Sequence, residues 1–186
     1  MIGELPRALE VHGVFYAIRT DFRDVLTIIS AFNDPELDNP EKLYICLVIL
    51  FEDFDDIPEE DYEEAYRRAV WFIDGGADPS EKHSPRTMDW EQDERLLFPA
   101  VNRVAGCEVR ALDYLHWWTF LGYFMEIQEG TFSHILSLRQ RKAKGKKLTK
   151  EEQEFWRQNK DLCVLRPKIT KEEREQRDRL NALLGD

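Results

Sequence analysis

Apolar residues recur along most of the chain at steps of three and four, the spacing of one face of an α-helix. Residues 88–127 are the most informative stretch, because they predict two helices that meet at Gly106. In the second of these, from 109 to 127, polar side chains form only a narrow stripe that includes Asp113 and His116. A helix that is apolar nearly all round must be enclosed by other elements. This helix is therefore predicted to be the centre of a mainly α-helical bundle.

Aromatic rings are concentrated on this predicted central helix, where Trp117 and Trp118 are expected to contribute strongly to the core. Asp113 and His116 are three residues apart and are predicted to share one helix face. We interpret His116 as a hydrogen-bonded residue that satisfies polarity beside the tryptophans, which places all four residues in the structural core. The alternative is a catalytic histidine that is oriented by the aspartate. No serine or cysteine nucleophile accompanies the pair in a recognisable elbow, which disfavours catalysis.

Turn and capping signals divide the rest of the chain. Residues 8–19 alternate between apolar and polar positions around His12-Gly13, which predicts a small N-terminal β-hairpin. The run 43–51 by itself would suit a buried strand, but the start signal Asn39-Pro40 favours a helix. Pro99 falls inside a predicted helix and is expected to kink or split it. The other helix starts are predicted at Thr20-Asp21, Pro58, Asp89 with Gln92, Thr149 with Glu152, and Thr170 with Glu173.

These elements predict one domain over residues 1–166, a multi-helix bundle around a central aromatic-rich helix with a small N-terminal hairpin. Its parts are the hairpin 8–19, an acidic region 34–64, a flexible linker 77–87 and the core helices 89–127. Residues 167–186 are predicted to form a charged helical extension. Because this extension has few apolar residues, burial within the chain is not expected to offset its ordering entropy. We expect it to protrude, to fray or to dock on a partner.

Charge is distributed unevenly in this chain, whose net charge is -11. Residues 34–64 contain thirteen acidic residues and one basic residue, whereas residues 139–186 contain fifteen basic and nine acidic residues. We interpret both regions as solvated helix faces, and the alternatives are contact between the two ends or attraction of separate partners. The basic run 139–150 has the charge to neutralise phosphates. Strong overall acidity and the lack of a reader motif nevertheless argue against nucleic-acid binding.

The sequence contains no recognisable motif for a metal site or a cofactor site. HExxH and CxxC spacings are missing, and the region after Asp53 fails the calcium-loop pattern because Pro58 stands where glycine is required. The three cysteines are widely spaced, which indicates reduced thiols in a cytosol rather than a disulfide framework. No signal peptide is recognisable. The longest apolar run has nine residues, whereas a membrane span needs about 20, so no transmembrane helix is predicted.

The core block resembles a family of phage proteins. Its segment Asp89-Trp90-Glu91-Gln92-Asp93 is followed about two dozen residues later by Leu115-His116-Trp117-Trp118 and Phe120. A short helix then leads from Phe132 to a basic residue, Arg139, and the hairpin that leads into Thr20-Asp21-Phe22-Arg23 belongs to the same pattern. These features are similar to the gene-product-fifteen-like family of long-tailed phages and prophages of Gram-positive hosts, over most of residues 5–166. The chain departs from the family pattern at Pro99 and in its extended charged C-terminus.

This resemblance implies a tail assembly chaperone that is not an enzyme and needs no cofactor. Such a protein acts in the host cytoplasm, coats the long apolar tape measure protein, helps to recruit major tail protein and leaves before the virion is complete. It is expected to form a homo-oligomer and to bind neither nucleic acid nor membrane. The alternative is a structural tail or connector subunit that stays in the virion.

A chaperone of this kind needs an apolar contact surface on a charged exterior, and a segment that is free to engage a partner. Tryptophans outside the central helix are candidates for the surface, and the leucines of the last helix are candidates for docking in a groove or a coiled association. The expected partner-binding residues are Trp71, Trp90, Trp156, Leu180, Leu183 and Leu184.

Overall fold

The computed structural model describes residues 3–77 and 85–184 of the 186-residue chain. The protein is mainly α-helical with a two-stranded antiparallel hairpin near its N-terminus, which confirms the predicted fold class. Most of the predicted linker 77–87 lies outside the described residues, and the division into two regions at residue 166 stays a prediction. The elements are β1 (Ala8–Val11), β2 (Val14–Ala17), α1 (Phe22–Phe32), α2 (Asn39–Leu50), α3 (Tyr62–Ile73), α4 (Glu94–Ala105), α5 (Trp117–Met125), α6 (Thr131–Ala143), α7 (Lys150–Gln158), α8 (Lys160–Cys163) and α9 (Lys171–Leu184).

The hairpin turns at His12 and Gly13, whose backbone φ angles are 45° and 88°. Two successive residues with positive φ suit a two-residue turn between twisted strands, and glycine takes the second angle without strain. Val11 pairs with Val14 across the turn, as the sequence pattern predicts. Leu9 and Val11 are buried, and β1 packs against α3, so the hairpin closes one side of the core.

Local capping signals set the starts of the first two helices. The Asp21 carboxylate accepts a hydrogen bond from the backbone N–H of Arg23 (3.0 Å) and caps α1, as predicted. For α2 the cap is Asp38 rather than the predicted Asn39, because Asp38 and Glu41 form a reciprocal capping box. The apolar run that follows this cap is helical and not a strand.

Later helix starts agree with the sequence pattern or differ from it by a few residues. Pro58 precedes a 3-10 turn (Glu59–Asp61), and α3 begins only after this turn. Thr149 caps α7 through the predicted capping box. The Thr170 hydroxyl accepts from the N–H of Glu173, whose carboxylate accepts from the N–H of Thr170, so α9 also begins as predicted.

Pro99 lies in the middle of α4, which continues through it to Ala105 and is not split. Proline has no N–H, so one carbonyl of the preceding turn loses its helical donor. Pro99 is exposed, and water can hydrogen-bond that carbonyl at the surface. Gly106 ends the helix in a left-handed conformation with a φ of 73°, which is the predicted helix end.

The prediction of one continuous central helix is wrong. The chain forms a 3-10 turn at Val109–Ala111, and α5 begins only at Trp117. Between them the backbone pairs with the start of α1. The N–H of Leu115 donates to the Asp21 carboxylate (2.9 Å), and the N–H of Phe22 donates to the Leu115 carbonyl (3.0 Å). These tertiary hydrogen bonds satisfy backbone groups that a longer helix would have paired internally.

The shortened α5 still occupies the centre of the core. Phe120 on α5 stacks on Phe22 of α1, with ring centroids 4.7 Å apart and ring planes 6° apart. The indole N–H of Trp117 donates to the carbonyl of Ile73 at 2.8 Å, and the indole of Trp118 bonds the preceding carbonyl at 2.9 Å. Trp117 is buried and Trp118 is half-buried. The two indoles therefore attach α5 to the end of α3, and the buried N–H groups have acceptors.

The three cysteines are free thiols, two of them buried (Cys46 and Cys163) and one exposed (Cys107). Burial raises the pKa of the Cys46 thiol to about 12, and it also raises the pKa of Cys163. A thiol with a raised pKa stays protonated and behaves as a small apolar side chain.

α9 extends from the body of the protein, in agreement with the predicted protruding helix. Its first residue, Lys171, is attached by a hydrogen bond from its backbone N–H to the Glu36 carboxylate. Every described side chain from Lys171 to Leu180 is exposed. None of the helices in the described part of the chain has both the length and the apolarity needed to cross a bilayer.

Candidate functional site

Residues 89–93 form a turn, which we call the acidic turn, and its end residues Asp89 and Asp93 are only 4% and 2% exposed. The Asp89 carboxylate accepts hydrogen bonds from the N–H groups of Glu91 (3.1 Å) and Gln92 (2.8 Å), so this capping interaction folds the turn and α4 begins later than predicted. The Asp93 carboxylate accepts from the N–H of Asp89 (3.0 Å). Two buried carboxylates are costly unless cations and donors face them.

Arg139 is the cation that faces Asp93, and it is itself only 6% exposed. Two of its N–H groups donate to the two Asp93 oxygens at 2.7 and 2.8 Å. The other three donate to the backbone carbonyls of Thr87 (3.0 Å), Leu162 (2.6 Å) and Cys163 (3.0 Å). All five guanidinium donors are therefore satisfied. One side chain on α6 thereby holds the acidic turn and α8 together.

The sequence does contain a signal that Arg139 is buried. Arg139 follows Phe132 and Ile135 on the buried stripe of α6, at helical steps of three and four. An arginine in an apolar stripe needs an acceptor inside the protein. The sequence does not say which acid supplies it, because Asp93 is 46 residues away along the chain.

Gln92 and Glu91 attach the segment after α8 to the acidic turn. The Gln92 amide donates to the Arg166 carbonyl (3.0 Å) and accepts from the Arg166 N–H (2.9 Å). Glu91 accepts hydrogen bonds from the Lys168 ammonium (2.7 Å) and from the Ser30 hydroxyl on α1. The hydrogen bond from Lys168 is the largest cause of a lowered Glu91 pKa. Glu91 therefore bridges α1 and the segment that leads to α9.

Trp90 is the apolar member of the acidic turn, and it is half-buried against α5. Its ring centroid lies 5.1 Å from that of Phe124, 6.0 Å from Trp117 and 6.2 Å from Phe120. The segments that carry the family resemblance are therefore in contact with one another. The acidic turn packs on α5 through Trp90 and on α6 through Asp93.

His116 and Asp113 do not form the pair that their spacing suggests. His116 is the N-cap of α5, and its Nδ1 accepts from the N–H of Trp118 (3.0 Å). Its Nε2 must then carry the proton, and it donates to the Pro6 carbonyl (2.9 Å). Asp113 precedes the helix and is exposed, so it does not share a helix face with His116 and its predicted place in the core is wrong. Both nitrogens of this buried histidine serve the fold.

A groove lies beside Trp90, between α1 and α4. Leu26 and Ile29 are half-buried on the α1 side, and Phe98 lines the α4 side. Along α1 the apolar lining residues Phe22, Leu26 and Ile29 are four and three residues apart, so they lie on one face of the helix. We call this cavity of about 360 Å³ the α1 groove, and its apolar lining consists of Phe22, Leu26, Ile29, Trp90 and Phe98.

Charged side chains edge the α1 groove. The Arg23 guanidinium lies over the Phe22 ring, 4.6 Å from its centroid, and the Arg110 guanidinium lies over Phe98 at 4.8 Å. These contacts let the two guanidinium groups cover aromatic ring faces while the guanidinium groups remain partly hydrated. At the other end, the pair of Glu91 and Lys168 separates the groove from a second cavity of about 880 Å³ that reaches the start of α9.

The predicted partner-binding tryptophans lie at different places. Trp90 lines the α1 groove. Trp71 packs against Trp118, with ring centroids 5.5 Å apart, and lines a separate cavity beside α3. Trp156 on α7 lies beneath the Lys142 ammonium, which is 4.0 Å from its ring centroid. The structure therefore does not gather the three into one surface.

The predicted leucines lie on the extension. Leu180 is 56% exposed on α9. The side chains of Leu183 and Leu184 lie outside the described part of the chain, so their role in partner binding stays a prediction. Among the described residues, no group of three or more His, Cys, Asp and Glu side chains is placed to hold a metal ion.

A protein-family model described as "Bacteriophage Gp15 protein" matches residues 1–165. The match therefore includes the hairpin, the acidic turn, α5 and Arg139, and it ends before α9. No curated protein and no solved structure matches this chain.

Proposed function

We propose, from the premise that this chain belongs to the Bacteriophage Gp15 protein family, that it is a tail assembly chaperone. The family is one of phage structural or assembly proteins. In our proposal the protein binds the tape measure protein in the host cytoplasm, keeps that apolar chain soluble and helps to recruit major tail protein. It acts through protein contacts alone, without catalysis and without a cofactor.

The observation that carries the proposal is the α1 groove. Its floor is apolar, it lies between two helices, and the α1 side presents Phe22, Leu26 and Ile29 from one helix face, against which another helix can pack. An apolar helix of the tape measure protein would fit such a groove by helix-in-groove binding. The groove is built on a rigid base, because Trp90 at its floor belongs to the turn that Arg139 holds in place. A preformed site loses less entropy when a partner binds.

The test is co-expression with the tape measure protein of the same phage. The wild-type chain should raise the soluble fraction of the tape measure protein. A Leu26→Gln, Ile29→Gln double variant should lose most of this effect, because both half-buried groove side chains become polar. The matched control is Met125→Gln, which removes a 79% exposed apolar side chain outside the groove and should behave like wild type. Circular dichroism checks that the double variant is folded.

Two results would count against the proposal in different ways. If the wild-type chain left the tape measure protein insoluble, the chaperone function would be wrong. If the double variant and the control both kept it soluble, the function would stand and the α1 groove would not be its site. Mass spectrometry of purified virions separates the remaining alternative, because a structural tail or connector subunit would be present at stoichiometric amounts and a chaperone would be absent or at trace level.

A further inference from the structure

A second surface with the properties of a docking site lies on α2 and the turn after it. Tyr44 and Val48, one helical turn apart on α2, are 54% and 38% exposed. The Tyr44 ring meets Phe54 edge to face, with centroids 5.4 Å apart, and Phe54 packs on Tyr62 at 5.2 Å. These rings and Val48 form an apolar patch at the surface of a charged protein. We call this surface the aromatic face.

The aromatic face includes a cavity of about 420 Å³. Arg19 is the cation in its lining, and its guanidinium already donates to the carbonyls of Val48, Ile49 and Phe51 at the end of α2. The acidic members of the lining are Glu52, Asp53, Asp55 and Asp56. A ring face and several carboxylates around one cavity are the groups that surround a bound ammonium or guanidinium.

The acids of this cavity are not neutralised within the described part of the chain. None of Glu52, Asp53, Asp55 and Asp56 has a described lysine, arginine or histidine within ion-pair distance, in contrast to Asp61, whose carboxylate lies 2.7 Å from His12. Desolvation is the largest cause that raises the pKa of Tyr62 on this face, followed by Glu59, Tyr44 and Asp55. A cation from outside the chain would therefore find carboxylates that lack a described ion-pair partner beside the exposed Tyr44 ring.

The complementary surface is on the same chain, at the end of α6. Lys144, Lys146 and Lys147 follow the helix, and Lys150 begins α7. All four side chains are exposed, and no described acid forms an ion pair with any of them. Lys142 lies over the Trp156 ring beside them. We call residues 142–150 the basic hinge.

The two surfaces do not neutralise each other within one copy. In the described part of the chain, no ion pair joins residues 34–64 to residues 139–186, although each region has strong charge of opposite sign. The two ends do make contact where the Lys171 N–H donates to the Glu36 carboxylate, but among the described residues this contact is not an ion pair. Opposite surfaces on one molecule can meet between two molecules.

We propose that the aromatic face of one copy binds the basic hinge of a second copy, with a hinge lysine ammonium between the Tyr44 ring and the cavity carboxylates. The contact uses two different surfaces, so in a bound pair one copy still offers a free basic hinge and the other a free aromatic face. Such a head-to-tail interface continues into a ring or a filament rather than stopping at a dimer. This inference does not depend on the α1 groove or on the chaperone function.

Sedimentation velocity of the full chain at several concentrations tests the contact. The wild-type protein should associate at about 0.05 M salt and dissociate at about 0.5 M, because salt screens exposed charges. Asp55→Lys with Asp56→Lys should weaken association at low salt at least about tenfold, and Lys146→Glu with Lys147→Glu should do the same. Glu126→Lys with Glu129→Lys is the matched control, since it makes the same change of charge at two exposed positions away from both surfaces and should associate like wild type.

Mixing the two interface variants distinguishes head-to-tail binding from other forms of association. The Asp55/Asp56 variant keeps a native hinge, and the Lys146/Lys147 variant keeps a native aromatic face. Equal amounts should therefore associate with each other, although neither variant associates strongly with itself. A monomeric wild type at low salt would overturn the proposal, and so would undiminished association of either variant or a mixture that stays monomeric. Circular dichroism of each variant confirms that the fold is retained.

Discussion

All five N–H groups of the Arg139 guanidinium donate hydrogen bonds inside the protein. The acceptors lie at Thr87, in the acidic turn and on α8. Removing Asp93 alone would leave a buried, unpaired cation. We therefore expect Asp93→Asn to lower the free energy of unfolding by about 3–5 kcal/mol, the usual cost of breaking a buried ion pair from one side. Chemical denaturation measures this change.

The control for that experiment is the exposed pair of Glu154 and Arg157 on α7, 2.8 Å apart. Glu154→Gln also deprives an arginine of its carboxylate partner, but water hydrates both side chains. The free energy of unfolding should therefore change little. Equal losses for the buried and the exposed variant would show that Asp93 does not carry the structural role assigned to it.

His116 gives a second prediction for a single residue. Replacement by Asn retains a side chain that can cap α5 but cannot also reach the Pro6 carbonyl from the same position. We expect His116→Asn to cost about 1–3 kcal/mol of stability, and His116→Ala to cost more because the cap is lost as well. Thermal or urea unfolding of the two variants shows which of them is the less stable. A reversed order would mean that the Asn side chain does not cap α5 and leaves a buried amide without a partner.

Among the elements, the acidic turn decides how the C-terminal segment is held. Glu91 has a lowered pKa in the folded protein, chiefly because Lys168 donates to it. Because the Glu91 pKa is lower in the folded protein than its ordinary value of 4.5, the ionised carboxylate stabilises the attachment at pH values above 4.5. This stabilisation is lost as the pH falls through the pKa of the folded protein. We expect the amide NMR shifts of Arg166, Lys168 and Ile169 to change in that acidic range.

Glu91→Gln is the control for this pH effect. The glutamine keeps a polar side chain but does not titrate, so the acid-dependent shift of the Arg166, Lys168 and Ile169 amides should disappear in the variant. If the variant kept the same midpoint, another group would be the titrating one, and the Glu91–Lys168 contact would not account for the pH dependence.

Elements whose boundaries depend on neighbouring residues could be predicted from the sequence. The turn at His12-Gly13, the cap at Asp21 and the capping box of Thr149 each depend on a few adjacent side chains. The start of α5 could not be predicted, because the backbone around Leu115 pairs with residues at the start of α1 far away in sequence. An apolar composition indicates burial but does not say which backbone groups pair with one another.

The candidate site shows the same division between local and long-range information. Trp90 was expected at a partner surface from its residue type, and it lines the α1 groove. The groove itself could not be predicted, because its other side is formed by Leu26 and Ile29 on a helix about sixty residues earlier. The Asp93–Arg139 pair beneath it was missed for the same reason: burial of each residue is a local property, whereas their pairing is set by packing.

For the molecule as a whole, the structure divides the C-terminal region differently from its charge pattern. The core uses the carbonyls of Leu162 and Cys163, which accept hydrogen bonds from Arg139. After them, Arg166 and Lys168 bind the acidic turn. Beyond them, every described side chain from Lys171 to Leu180 is exposed. The charged extension 167–186 thus begins with residues that contact the body and continues with a helix whose described side chains are exposed.

Two truncations test this division. Removing residues 171–186 should leave the melting temperature nearly unchanged, because every described side chain from Lys171 to Leu180 is exposed and the truncation leaves Arg139 fully bonded. Removing residues 160–186 deletes the carbonyls of Leu162 and Cys163, so two donors of a buried guanidinium lose their acceptors. The longer truncation should cost about 2–6 kcal/mol, at about 1–3 kcal/mol for each unsatisfied group. If the shorter truncation were as destabilising as the longer one, α9 would be part of the folded core rather than a segment available to partners.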